Sequence, residues 1–184
     1  MSALRFSTAN EVYDAFPTVG DFLSAEPTGS PPAAFMRSLA AGPTPEDAIT
    51  FCAFTLGRRE AVWWACQCVR SIAQVAEGQE DPLLLAAEDW VREPEEDRRR
   101  TALQLGMESD KQVASAWLAL AAGWSGGSIS TVEGMKVPPA SHMTPSAARA
   151  AILIALARVG PKERGPRLER CVEGGLRLME PQPA

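Results

Sequence analysis

Four groups of residues in this chain have the chemistry to do more than pack. They are the single histidine, His142; the cysteines Cys52, Cys66, Cys68 and Cys171; the serines of Trp124-Ser125-Gly126-Gly127-Ser128; and an arginine–tryptophan strip, Arg59, Trp63 and Arg70. His142 stands in a proline-rich segment just before Thr144-Pro145, where a local hydrogen bond is its expected role. One histidine and no C-x-x-C leave the usual zinc sets unassembled. Cys66 and Cys68 are two apart on a helical run, so their side chains diverge by about 200° and cannot pair with each other. All four cysteines read as small buried hydrophobes. No metal and no cofactor is expected.

The Ser-Gly-Gly-Ser stretch invites comparison with phosphate-cradling and esterase loops. A Walker loop requires a lysine after its last glycine, and none follows here. A nucleophile elbow requires G-x-S-x-G after a strand, and neither is present. Residues 124–128 therefore read as a glycine-ended helix, with Gly126 or Gly127 in the left-handed conformation. The exposed amides of Ser125, Gly126, Gly127 and Ser128 are suited to a partner's carbonyl or carboxylate. Glu60 follows Arg58-Arg59 and reads as one half of a structural ion pair. Glu88 and Asp89 beside Trp90 read as helix surface. A general acid–base pair needs a second group converging in a cleft, and the sequence places none.

These residues are positioned by a central helix over 58–76. Val62, Cys66, Val69, Ala73 and Ala76 form one apolar stripe, and Trp64, Cys68, Ile72 and Val75 an adjoining one. Only Arg59, Trp63, Gln67, Arg70 and Gln74 are left as a narrow polar strip. A helix apolar around most of its circumference is enclosed on several sides, so Trp64 is expected in the core and Trp63 at a boundary with arginine beside its ring. Arg59, Trp63 and Arg70 together with Ser125–Ser128 form the candidate partner-binding patch. Its alternative is structural, with the two arginines capping neighbouring helix C-termini.

The rest of the chain reads as further helices. Thr8 or Ser7 caps a short one carrying Val12, Tyr13 and Phe16, and Val19, Phe22 and Leu23 then face inward. Pro31-Pro32 opens a helix to Ala40. Thr44-Pro45-Glu46-Asp47 opens the helix before the central one, with Thr44 as cap. A connection that short predicts antiparallel neighbours. Gly78 breaks the central helix and Asp81-Pro82 starts the next. Glu93–Arg100, acids followed by Arg98-Arg99-Arg100, reads as a solvated helix start. Helices are expected from about Ser109 to Trp124, over Ala147–Val159 after Thr144-Pro145, and over about Arg164–Met179. Residues 129–143 form an ordered, non-helical crossover.

Hydrophobic and charged contents of 46% and 22% are ordinary for a globular domain. A net charge of −5 argues against nucleic acid as a partner. No apolar run reaches the roughly 18–20 residues that span a bilayer, and the N-terminus lacks a signal peptide's apolar segment. The expectation is a cytoplasmic, all-α, single domain over 1–184 of about eight helices, with irregular HEAT-like pairs as a variant and with 1–7 and 181–184 as loose termini.

Arg59-Glu60-Ala61-Val62-Trp63-Trp64-Ala65-Cys66, Trp124–Ser128 and Val137-Pro138-Pro139, in that order, resemble an uncharacterised bacterial helical family associated with type VI secretion gene clusters. The likeness covers roughly 44–175. The resemblance implies an accessory role near that apparatus, as adaptor or chaperone for an effector or spike component, and transfers no catalytic residue. The expectation is thus a non-enzymatic protein that binds another protein. Two rivals stand beside it: an immunity protein whose acidity suits a basic toxin, and a small helical ligand-binding protein or enzyme with a pocket near 58–70 and 125–128.

Overall fold

Local capping chemistry sets several of the helix starts. In the computed structural model, which describes residues 5–73, 81–130, 132 and 134–180, the Thr8 hydroxyl accepts from the Glu11 amide and opens α1, Ala9–Ala15. A short 3-10 helix, Pro17–Asp21, follows. Next come α2, Pro32–Ala40, α3, Asp47–Thr55, and α4, Arg58–Ala73. The Asp81 carboxylate accepts from the Leu83 amide at 2.9 Å, with Pro82 at the first helical position, and starts α5, Pro82–Arg92. The chain continues through α6, Glu96–Glu108, α7, Ala114–Gly123, α8, Met143–Ala157, and α9, Pro161–Met179. Among the described residues the protein is all-helical, with nine α-helices where the pattern suggested about eight. None is long and apolar enough to cross a membrane.

Several starts differ from their sequence signals. Thr44 does not cap: its carbonyl accepts from the Asp47 amide in a tight turn, so α3 begins only at Asp47. Thr144 does not cap α8 either, because its buried hydroxyl donates to the Ala121 carbonyl of α7 at 3.2 Å. Residues 109–113 form turns ahead of α7, tied by Lys111, whose carbonyl accepts from the Trp117 indole at 2.8 Å. Phe22 is exposed, with the Arg149 guanidinium 4.4 Å from its ring centre. Phe6, in the expected loose lead-in, is buried edge-on to Phe16. The continuation of the central helix over 74–76, its break at Gly78, and residues 1–4 and 181–184 lie outside the described residues.

The core explains the arrangement. α4 touches α3, α5, α7, α8 and α9, which makes it the hub of the fold. It is enclosed on several sides, as its spacing suggested, but it is not the most enclosed helix. That place belongs to α3 and α7, buried on nearly every side chain because they are walled in all round. α3 also lies against α8, α2 and α9, and it meets α4 only sparsely; the antiparallel pairing expected from their short connection is not what forms. α6 and α7 approach backbone to backbone. A Cβ on Gly123 would lie 2.6 Å from the Leu103 Cα, and one on Gly106 2.9 Å from the Leu120 amide nitrogen. Only residues without a side chain allow that separation.

Candidate docking surface on the central helix

On α4 the strip Arg59, Trp63, Gln67 recurs every four residues and stays exposed, while Trp64 is 1% exposed. The Trp64 indole donates to the Cys171 carbonyl of α9 at 3.0 Å, which satisfies its one polar atom inside the core. Trp63 is 44% exposed and has no hydrogen-bond partner among the described residues. It stands as a ridge between two clefts. The first, about 530 Å³, is lined by Arg59, Trp63, Gln67, Glu88, Val91 and Arg92 of α4 and α5. The second, about 380 Å³, lies between α4 and α9, with Trp63, Gln67, Gly174 and Leu178 in its walls and Arg170 and Arg177 at its edge.

The arginines of the strip have structural duties. The Arg59 guanidinium donates to the Val91 carbonyl at 2.7 Å and the Arg92 carbonyl at 3.2 Å, which are unsatisfied acceptors at the C-terminus of α5. Arg70 forms a two-pronged pair with Glu88 at 2.5 and 2.6 Å, joining α4 to α5. Glu88, read from sequence as plain surface, is thus part of the seam. Glu60 curls back over Gly57, where a Cβ would lie 2.3 Å from its carboxylate, and no ion pair to it is formed among the described residues.

The Ser125–Ser128 loop is held from a different side. Gly127 takes the left-handed conformation (φ 60°). Beneath it lies Arg99, the middle of the three consecutive arginines and only 3% exposed. Its guanidinium donates to the Gly123 carbonyl, to the Ser128 carbonyl at 3.1 Å, and to both carboxylate oxygens of Glu96 at 2.7 Å. Arg58 secures the Ser125 carbonyl at 2.8 Å. The Ser128 hydroxyl donates to the Met135 carbonyl and accepts from the Val137 amide, closing the crossover on itself. Gly127 and Ser128 face a third cleft with Glu96, Arg100, Val132 and Met135. The strip and the loop therefore line different clefts. Arg99 draws the loop toward α6, whereas Arg59 runs to α5.

The hydrogen bonds from Arg99, helped by the charges of Arg99 and Arg100, hold the Glu96 carboxyl below its ordinary value against the opposing effect of burial. His142 precedes α8 and makes no side-chain cap. Among the described residues no group of three or more His, Cys, Asp or Glu side chains is placed to hold a metal ion.

Arg99 was legible in retrospect: it is spaced three and four residues before Ala102 and Leu103, on the buried face of α6. Arg170, Gly174 and Arg177 likewise recur at i, i+4 and i+7 on α9, a facial signal that the sequence carries openly.

An all-helical domain that leaves one tryptophan standing between two clefts of its hub helix is, by class, a helical domain with a candidate docking face. Residues 35–179 match DUF6931, a family of unknown function, and the chain belongs to that family. No curated protein and no solved structure matches it.

Proposed function

We propose that this chain is a protein-binding domain that docks a partner segment on the Trp63 ridge of α4, chiefly in the cleft shared with α9. The observation that carries the reading is Trp63 itself: a large aromatic side chain, nearly half exposed, without a hydrogen-bond partner among the described residues and flanked by concave surface. Burying an exposed apolar ring is favourable in association, and tryptophan is enriched among residues that dominate binding energy. Arg170 and Arg177 at the edge of the α9 cleft suit a partner that presents a carboxylate beside a bulky apolar group. Among the described residues no carboxylate lines that cleft, and Arg177 is paired with Glu173 at 3.5 Å outside its lining. Arg59 and Arg70 contribute by fixing α5 against α4, and so shape the cleft between those two helices. The Ser125–Ser128 loop is a separate, clamped element in this reading.

The type VI association implied by the sequence resemblance suggests the partner's nature: an effector or a spike component, with this chain as its adaptor or chaperone. The test compares wild-type protein with Trp63→Ala, each shown to be folded, as baits in extracts of the native host. An effector or spike protein held by the wild type should be lost from the variant, with affinity for the purified partner falling about 30-fold or more, as for a residue worth at least about 2 kcal/mol. Unchanged retention by Trp63→Ala would refute the docking reading. A toxin retained in the same way would assign the surface to an immunity role instead.

A further inference from the structure

We infer that Cys68 and Cys171 form an oxidisable dithiol, which a hydroperoxide converts into a disulfide joining α4 to α9. The geometry brings the two together from opposite helices. Cys68 is one turn beyond Trp64 on α4, and the Trp64 indole is hydrogen-bonded at 3.0 Å to the backbone carbonyl of Cys171 itself. The Cys68 thiol donates to the Cys171 sulfur. Both residues are buried, at 4% and 3% exposure, in the wall of the 380 Å³ cleft beside Trp63 and Arg170, the side from which a molecule as small as hydrogen peroxide would reach them. Cys66 differs: it points away from Cys68 by helical geometry, and it does not line this cleft. Cys52 is fully buried.

The two sulfurs are chemically unequal, which gives them separate roles. The hydrogen bond from Cys68 and the positive charge of Arg170 hold the Cys171 thiol below its ordinary value, against the opposing effect of burial. Burial pushes the Cys68 thiol up. Cys171 is the sulfur of the pair that is held lower, and a thiolate is the form that reacts. Its thiolate attacks one oxygen of the hydroperoxide, breaking the O–O bond and giving a sulfenic acid plus hydroxide. The Cys68 sulfur then attacks the Cys171 sulfur and displaces hydroxide. The Cys68 proton goes to that leaving group as water, and the S–S bond forms. Two thiols lose two electrons in all, and the peroxide is reduced to water. The disulfide requires the two sulfurs to meet at about 2.05 Å, across the cleft wall that they share. The inference is independent of whether Trp63 docks a partner.

The test uses the reduced full-length chain, treated with hydrogen peroxide in native buffer. Remaining thiols are blocked in denaturant, and the chain is digested with trypsin without reduction. The expected result is a fall in titratable thiols from the four present to two. The peptides Glu60–Arg70 and Cys171–Arg177 should appear joined, two hydrogens lighter than their sum, with fragmentation placing the bond on Cys68. Cys66→Ala should keep the cross-link. Cys68→Ala should leave a sulfenic acid on Cys171 that dimedone traps, and Cys171→Ala should leave Cys68 unoxidised. Four surviving thiols would overturn the inference. So would a bond through Cys66 or Cys52, or a sulfinic acid on Cys171 beside a free Cys68. The wild-type peptide map decides the matter even if a variant fails to fold.

Discussion

Truncation of Arg99 isolates the clamp that holds the 123–128 loop to α6. Arg99→Ala removes the donors to the Gly123 and Ser128 carbonyls and the two bonds to Glu96. Gly123 is buried, so its carbonyl loses a partner that water does not readily replace, at a cost of about 1–3 kcal/mol. Two buried methylenes of the side chain go as well, at about 0.8 kcal/mol each. The Glu96 side chain is 55% exposed, so its carboxylate is rehydrated, and the larger penalty of a stranded buried charge does not apply. The expected loss is about 2.5–4.5 kcal/mol, or roughly 5–18 °C in melting temperature for a chain of this length. Arg100→Ala is the matched control. That side chain is 57% exposed and 3.3 Å from the same Glu96 carboxylate, and the change should cost at most about 1 kcal/mol. Arg99→Met keeps most of the apolar stem and removes the donors, so it should retain the carbonyl cost alone, about 1–3 kcal/mol. Urea unfolding followed by far-UV circular dichroism measures all three. Arg99→Ala and Arg100→Ala agreeing within 1 kcal/mol would refute the clamp.

The two adjacent tryptophans should separate cleanly in the same assay: Trp64→Ala loses about 3–5 kcal/mol, while Trp63→Ala stays within about 1 kcal/mol. Equal losses would contradict the outward orientation of Trp63. Because the Glu96 carboxyl is held below its ordinary value of 4.5, its contribution to stability is present above that pH and lost as pH falls through the lower folded value. Wild type should therefore lose more stability than Glu96→Gln between pH 5 and pH 3, and parallel profiles would remove Glu96 from the clamp. Tyr13 is the chain's one tyrosine, and its hydroxyl donates to the Ala25 carbonyl at 2.8 Å. Burial, reinforced by Asp47 and Glu26, pushes its phenol up to about 12. Its contribution to stability is thus complete below pH 10 and lost as pH rises toward 12. Phenolate absorbance of the folded chain should titrate near 12, and a midpoint near 10 would place Tyr13 in water.

Periodicity and end signals alone determined that this chain is helical, where most helices lie, and which face of α4 carries Arg59, Trp63 and Gln67. Those properties are local. Side-chain direction repeats every 3.6 residues, and a cap such as Thr8 or Asp81 acts within its own first turn. The division between Trp63 and Trp64 was legible for the same reason, since neighbours on a helix point about 100° apart. Where the arginines of the strip reach was decided only by tertiary structure. Arg59 meets the C-terminus of α5 and Arg70 meets Glu88 because packing brings α5 alongside α4. The same holds for the enclosure of α7 and for Arg99 beneath Gly127. Each requires elements from distant parts of the chain to meet at a particular separation, set by glycines such as Gly106 and Gly123 that admit close contact. The pairing of Cys68 with Cys171 is the extreme case. Helical spacing excluded Cys66 as a partner for Cys68, but the cysteine that shares its cleft is supplied by another helix, through packing to which sequence spacing is blind.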